Sequence, residues 1–310
     1  GAKMKRATVL ATATAALVAL ALLTPTPARA AETGHYTLGL GGVKSTCMPT
    51  KGLFARAYFV SYNASKTTDG SKEKRDLQFD LDVFAYAQRF IWATKHQMLG
   101  GHYSCNVVFP YVKSQVKMGA RNIRDSNQGL GDIFVEPFTL CWHSPHWHTL
   151  LGIGFYIPTG DYDQNRAANP GRNYTTTMVT AGTTYTFGRQ NRWSAAALSR
   201  FEFHGQNDDT QITPGHGYSL EWAIAKTKKM GPKIWDLGLV GYSHWQLTND
   251  SGAGVNYNAQ IHDRVHALGL EVRFSRPKAG HFFCLRHLEE FAARDRTEGK
   301  TTTLVYTVRM

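Results

Sequence analysis

From residue 54 to residue 310 the chain is written in strand-length runs whose apolar and polar positions alternate with a period of two. In residues 75–92, Leu77, Phe79, Leu81, Val83, Ala85 and Ala87 share one face. Asp76, Gln78, Asp80, Asp82, Phe84, Tyr86 and Gln88 share the other. Residues 192–204 set Trp193, Ala195, Ala197, Phe201 and Phe203 against Arg200, Glu202 and His204. Residues 233–248 set Leu237, Leu239, Trp245 and Leu247 against Asp236, Tyr242, His244 and Gln246. Residues 261–275 set Leu268, Leu270, Val272 and Phe274 against Asp263, Glu271 and Arg273. A sheet with one face on hydrocarbon and the other on a polar interior needs this pattern.

The pattern predicts twelve strands: 54–64, 75–92, 98–116, 131–143, 146–157, 174–187, 192–204, 217–228, 233–248, 261–275, 281–292 and 301–310. The gaps alternate in length. Those after odd strands are long and polar (65–74, 117–130, 158–173, 205–216, 249–260, 293–300). Those after even strands are short (95–97, 144–145, 188–191, 229–232, 276–280). Short turns at one end, long loops at the other and an even strand count predict an all-β fold, a single transmembrane antiparallel barrel. Closure lets the first and last strands pair and leaves no open edge in lipid.

Pro110 and Pro137 fall inside predicted strands. Each lacks a ladder donor, so each predicts a bulge or a strand end. A bulge at Pro137 would turn Ile133 and Val135 outward before it and Phe138, Leu140 and Trp142 outward after it, leaving Glu136 inside. Residues 31–53 carry Gly34, Gly39, Gly41, Gly42, Pro49 and Gly52, which is poor strand material. They are expected to form no membrane strand, and either to fold into the lumen as a plug or to hang below it.

The first thirty residues read as a cleaved secretory signal. Lys3, Lys5 and Arg6 precede an apolar run, Val9–Leu23, and Ala28-Arg29-Ala30 offers a cleavage site after Ala30. The domains are then 1–30 leader, 31–53 N-terminal segment and 54–310 barrel. Losing Lys3, Lys5, Arg6 and Arg29 takes the formal charge from +12 to +8. Export argues against nucleic acid as the partner of this charge. Outer-membrane lipid and lipopolysaccharide are the expected surroundings. No later segment is apolar for a helical span.

Other chemistry is thin. Cys47, Cys105, Cys141 and Cys284 include no CxxC. Cys105 and Cys141 flank one loop symmetrically, but their parities put them on opposite faces, which disfavours a bridge. Asp161, Asp163 and Asn165 open like a calcium loop, yet Arg166 replaces the turn glycine, so a turn-making loop is the better reading. His143, His146 and His148 suit an interfacial girdle beside Trp142 and Trp147 better than a metal site. No cofactor motif and no nucleophile elbow occurs, and Ser243-His244 or Ser219 with Glu221 is too common a pairing to signal a triad.

The alternation instead nominates lumen-facing residues along a solute path: Asp80, Asp82, Phe84, Tyr86, Glu136, Tyr156, Arg200, Glu202, Glu221, Asp236, Tyr242, Glu271, Arg286 and Glu290. Asp263, Arg273 and these charges imply a lumen that is wet or cross-braced by ion pairs, because an unpaired ion in a low-dielectric wall is costly.

Several segments are similar to the MetA-pathway of phenol degradation family of outer-membrane proteins. They are Arg89–Trp92 (RFIW), Gly129–His143 (GLGDIFVEPFTLCWH), Tyr156–Tyr174 (YIPTGDYDQNRAANPGRNY), Thr213-Pro214-Gly215, Gly238–Trp245 (GLVGYSHW) and Glu290–Gly299 (EFAARDRTEG). The resemblance implies an outer-membrane barrel that passively admits small hydrophobic or aromatic compounds bound for catabolism, not an enzyme. It carries over no catalytic residue. One departure is the ending Val308-Arg309-Met310, where such barrels usually present a terminal aromatic; Tyr306 keeps the alternation. The rival readings are a structural barrel with a blocked lumen and a phospholipase-type enzyme.

Overall fold

The structure, a computed structural model, describes residues 34–46 and 51–310. The expected leader and its cleavage point lie outside these residues, as does Cys47. The strands are β1 (Gly52–Thr67), β2 (Phe79–Met98), β3 (Gly101–Met118), β4 (Ile123–Leu130), β5 (Ile133–His143), β6 (Trp147–Ile157), β7 (Thr176–Phe187), β8 (Trp193–His204), β9 (Gly217–Met230), β10 (Lys233–Gln246), β11 (Arg264–Arg276), β12 (His281–Arg294) and β13 (Thr297–Arg309). Sequence neighbours pair antiparallel except β4 and β5, which both pair with β3, and β1 pairs with β13 from Phe54↔Arg309 to Thr67↔Thr297, which closes the ring.

β4 and β5 are two pieces of one stave. β4 pairs with Tyr111–Met118 of β3, and β5 pairs with His102–Val108 of the same strand. The barrel therefore has twelve staves. Pro110 stands opposite the break, where the Gly131 N–H donates to its carbonyl at 3.0 Å. At Pro137 the register with β6 slips between Val135 and Phe138, and the register with β3 slips between Ser104 and Asn106. Glu136 is buried in the interior as the bulge requires.

Outward positions form an apolar band. Leu237 and Leu270 are each 60% exposed, and Ile153, Phe155, Leu239, Leu268, Leu285 and Leu304 are exposed on the same outer face. A bilayer core is the solvent that favours such a surface. Trp92, Trp147, Trp193 and Trp235 ring the end with short turns. Among the described residues no helix is long and apolar enough to cross a membrane.

Three expectations need correction. First, residues 119–130 are not all loop. Ile123–Leu130 is a polar strand, invisible to a search for apolar alternation because it continues the β3 hairpin above the apolar band. Second, two long loops shrink in the same way, leaving turns at Gly119–Asn122 and Asp295-Arg296. Third, the faces of β2 are reversed. Ile91 and Ala93 are buried, and Ala85 and Ala87 pack inward on Tyr58 and Val60. Asp80, Asp82, Phe84 and Tyr86 therefore point outward. Phe84 is exposed, Tyr86 lies against outward Phe59 at 5.2 Å, and Asp82 accepts from exposed Asn63. The lumen here is lined by small apolar groups. The two aspartates sit at the loop end of β2, where solvent can hydrate them.

Candidate functional site: the occupied lumen

Residues 34–46 form no strand and lie inside the barrel, descending from the loop end to the turn end. At the top, His35 Nε2 meets Asp132 Oδ2 at 3.0 Å, and its ring stacks on Tyr156 at 4.8 Å. Asp132 also accepts the backbone N–H groups of Gly160 at 2.9 Å and Arg172 at 2.6 Å, which ties loop 158–175 to the same point. At the bottom, Lys44 Nζ donates to Asp236 at 2.6 Å and to Thr227 at 2.9 Å. Thr46 donates to the His148 carbonyl at 2.6 Å.

Between these ends three wall glutamates hold the segment. The Tyr36 N–H donates to Glu202 at 2.8 Å. Glu221 accepts from the Tyr36 hydroxyl at 2.8 Å, the Gly39 N–H at 2.7 Å, the Gly41 N–H at 2.8 Å and Arg200 at 2.8 Å. Glu271 accepts from the Val43 N–H at 3.2 Å and from Arg286 Nε at 2.7 Å. Arg286 also donates to the Gly39 carbonyl, and Arg273 to the Val43 carbonyl. Arg200 lies 4.0 Å above the Tyr36 ring. A buried carboxylate is tolerable only when its lone pairs are filled, and here the N–H groups of a strandless segment fill them. The glycines make the approach possible. A Cβ at Gly41 would run into Glu221, and Gly39 holds φ +81.

Apolar packing adds to this. Val43 and Leu38 lie on a wall kept low by Ala196, Ala223, Ala225 and Ala267, with Val240, Tyr242 and Leu288 around them. Leu40 reaches the patch of Tyr58, Val60, Cys284 and Val305.

Of the residues nominated from sequence, Glu136, Tyr156, Arg200, Glu202, Glu221, Asp236, Tyr242, Glu271, Arg286 and Glu290 point into this lumen. Tyr242 donates to Glu290 at 2.7 Å, and Tyr62 donates to the other oxygen of Glu290 at 2.8 Å. Asp80, Asp82, Phe84 and Tyr86 take no part. Sequence reasoning missed Arg89, which pairs with Glu136 at 3.2 Å, and missed His35, Tyr36, Lys44 and Asp132. Arg89 was findable, since it belongs to the odd-numbered face of β2 once that face is known to be the inner one.

The remaining clusters have local explanations. Cys105 and Cys141 are not bridged; Cys141 stands opposite His102, three positions from Cys105. Asp163 accepts from the Asn165 N–H at 2.8 Å, a turn contact. His143 and His148 meet through Nδ1 at 2.9 Å, while His146 bonds the Thr186 carbonyl at 2.9 Å. Among the described residues no His, Cys, Asp or Glu group is arranged to hold a metal. Ser219 Oγ lies 2.9 Å from His244 Nδ1, and His244 Nε2 lies 3.3 Å from Asp263. The order of contacts resembles a hydrolase triad, but Ser219 is buried and Asp263 is shared with Arg296 at 3.6 Å. The Ser219 backbone sits in a two-sided ladder, which leaves it no free donor for an oxyanion.

Residues 64–306 match the family model described as "Putative MetA-pathway of phenol degradation". No curated protein matches the chain. Among solved structures, the COG4313 outer membrane channel from Pseudomonas putida F1 superposes with a TM-score of 0.72 at 14% identity, over 85% of this chain and 97% of that one. The beta domain of the Bordetella autotransporter BrkA superposes with a TM-score of 0.51 at 12% identity, over 84% of this chain and all of that one. At these identities the likeness is one of fold, and the two share a barrel built for the outer membrane. With its family model covering nearly all of the barrel, the chain belongs to the MetA-pathway of phenol degradation family.

Proposed function

We propose that the protein is an outer-membrane channel for passive uptake of small hydrophobic or aromatic compounds, with residues 34–46 as its plug. The observation that carries this reading is how the segment is held. It joins no strand ladder; it is fixed by side-chain carboxylates, a few cations and an apolar patch. Such contacts can be exchanged without opening the barrel wall.

The chemistry of the patch favours an apolar solute. When Leu38, Leu40 and Val43 leave, they uncover a surface of alanine, valine and tyrosine side chains. A small apolar molecule would regain the burial those three residues give up. Repeated weak contacts suit passage better than one tight pocket. The Pseudomonas putida outer membrane channel that shares this fold, and the family's phenol-degradation name, agree with this reading.

The test is uptake at limiting external concentration by cells with and without the protein, using a small aromatic compound beside a hydrophilic sugar. Faster uptake of the aromatic alone is expected. Equal rates would instead favour a structural barrel whose lumen stays closed.

A further inference from the structure

The outer surface at the turn end is basic, most densely at the β9–β10 and β11–β12 turns, without any acidic counterpart. Among the described residues, every Asp and Glu outside the lumen lies in the long loops or on the loop-side half of the wall, where outward Glu289 pairs with Lys300 at 2.8 Å. At the turn end, Lys226, Lys228, Lys229 and Lys233 stand on the β9–β10 hairpin, and Arg276 and Lys278 on the neighbouring β11–β12 turn. All six are exposed, and none makes an ion pair among the described residues.

Their depth is set by the strand. Lys226 and Lys228 share the outward face of β9 with Trp222 and Ile224. Lys226 is two residues, roughly 7 Å, below Ile224. Its ammonium lies 5.3 Å from the Trp193 ring centroid, and exposed Trp235 belongs to the same aromatic rim. Interfacial aromatic rings mark the headgroup level of a bilayer. Lys226, Lys228, Lys233 and Arg276 are thus placed on the outward face at and just beyond that level, with Lys278 in the adjoining turn and Lys229 at the barrel mouth beside them, where a lipid phosphate can meet them and a soluble partner's reach is limited to the outermost.

We infer that this rim is a binding collar for anionic phospholipid headgroups of the leaflet around the turn end. Clustered Lys and Arg beside a bilayer are attracted to anionic lipid within a Debye length. A chain of phosphates packed around the wall would neutralise charges that no protein group here neutralises. The inference rests on the membrane placement proposed above, though not on transport.

The experiment uses the full barrel in phosphatidylcholine vesicles containing a fraction of dibrominated phosphatidylglycerol or, in parallel, dibrominated phosphatidylcholine, with tryptophan quenching as the readout. At low salt, phosphatidylglycerol is expected to quench with an apparent affinity about threefold or more above phosphatidylcholine. The preference should fade in 1 M salt, where the Debye length falls to roughly 3 Å. A variant with all six residues changed to Gln should lose the preference while keeping its β-sheet circular dichroism and its quenching by brominated phosphatidylcholine. A loop-end variant, Lys113→Gln with Lys117→Gln, should keep the preference. Adding inorganic phosphate at matched ionic strength should not abolish it; abolition would assign the site to free anions and overturn the lipid collar. Equal quenching by both lipids, or a preference surviving in the six-fold variant, would also overturn it. Failure of either lipid to quench would instead refute the membrane placement.

Discussion

The Gly41 N–H donates to Oε2 of Glu221 at 2.8 Å, and a Cβ at Gly41 would collide with that same oxygen. The contact exists because one partner has no side chain and the other is a buried charge needing donors. Arg200 donates to the same oxygen at 2.8 Å. We predict that Gly41→Val unseats residues 34–46 while the barrel stays closed. Single-channel conductance should rise, and limited proteolysis should cut the segment without cutting the strands. Glu221→Ala should do the same and also destabilise the protein by about 3–5 kcal/mol, since it leaves Arg200 buried without its partner. Unchanged conductance and protection in Gly41→Val would show that the segment does not depend on this contact.

The outer wall makes a second prediction. Leu239 is outward, between Ile224 and Leu270 on neighbouring strands, and exposed to what surrounds the barrel. An arginine there would stand near the bilayer midplane and cost about 2–4 kcal/mol. Asp80→Leu, by contrast, acts at the loop end and should be close to neutral. Urea unfolding of the barrel in lipid vesicles gives both numbers. A larger loss from Asp80→Leu than from Leu239→Arg would reverse the assigned faces.

These faces show what the sequence could and could not tell. For β8, β10 and β11 the alternation alone separates Phe201 and Phe203 from Glu202, and Leu270 from Glu271, because large apolar groups face lipid and charges face the lumen. In β2 the same rule fails. Val83, Ala85 and Ala87 are apolar because they line a lumen already filled by Leu40, Tyr58 and Val60, and Asp80 and Asp82 are charged because they rise above the bilayer. β4 escaped notice for a related reason: its covered face is mostly polar, with Asp125 accepting from the N–H groups of Ala167 and Ala168, so it has no apolar run to alternate. Pro137 was legible because a missing N–H must fall at a bulge. The grip of Glu202, Glu221 and Glu271 on residues 34–46 was not, since backbone donors leave no trace in side-chain type beyond the run of glycines that admits them.

A third prediction concerns hydrolysis. Ser219, His244 and Asp263 are linked, but the serine is shut in by the wall. Ser219→Ala should leave uptake of an aromatic solute unchanged and remove no lipid hydrolysis, because none is expected from the purified protein. A phospholipase assay on the wild-type protein and the variant decides this. Hydrolysis abolished by Ser219→Ala would make the protein an enzyme.

Asp263 offers a pH test outside the membrane-spanning part of the wall. It precedes β11 at the loop end, beside Arg296 in the β12–β13 turn. Burial pushes its carboxyl up, but Arg296 and then His244 outweigh burial and hold it below the usual carboxylate range. A carboxyl depressed in the folded state contributes stability that is present above its unfolded pKa, about 3.9, and is lost as pH falls through the lower folded value. Wild-type protein should therefore exceed Asp263→Asn in urea resistance at neutral pH, and the two should converge below about pH 4. The variant removes one carboxylate and keeps Arg296, so the gap at neutral pH also includes the cost of leaving that cation with less compensation. The pH dependence of the gap isolates the titration, because Asn does not ionise. Unfolding midpoints measured from pH 3 to pH 7 provide it, and parallel curves for the two proteins would mean that Asp263 is not held below its ordinary range.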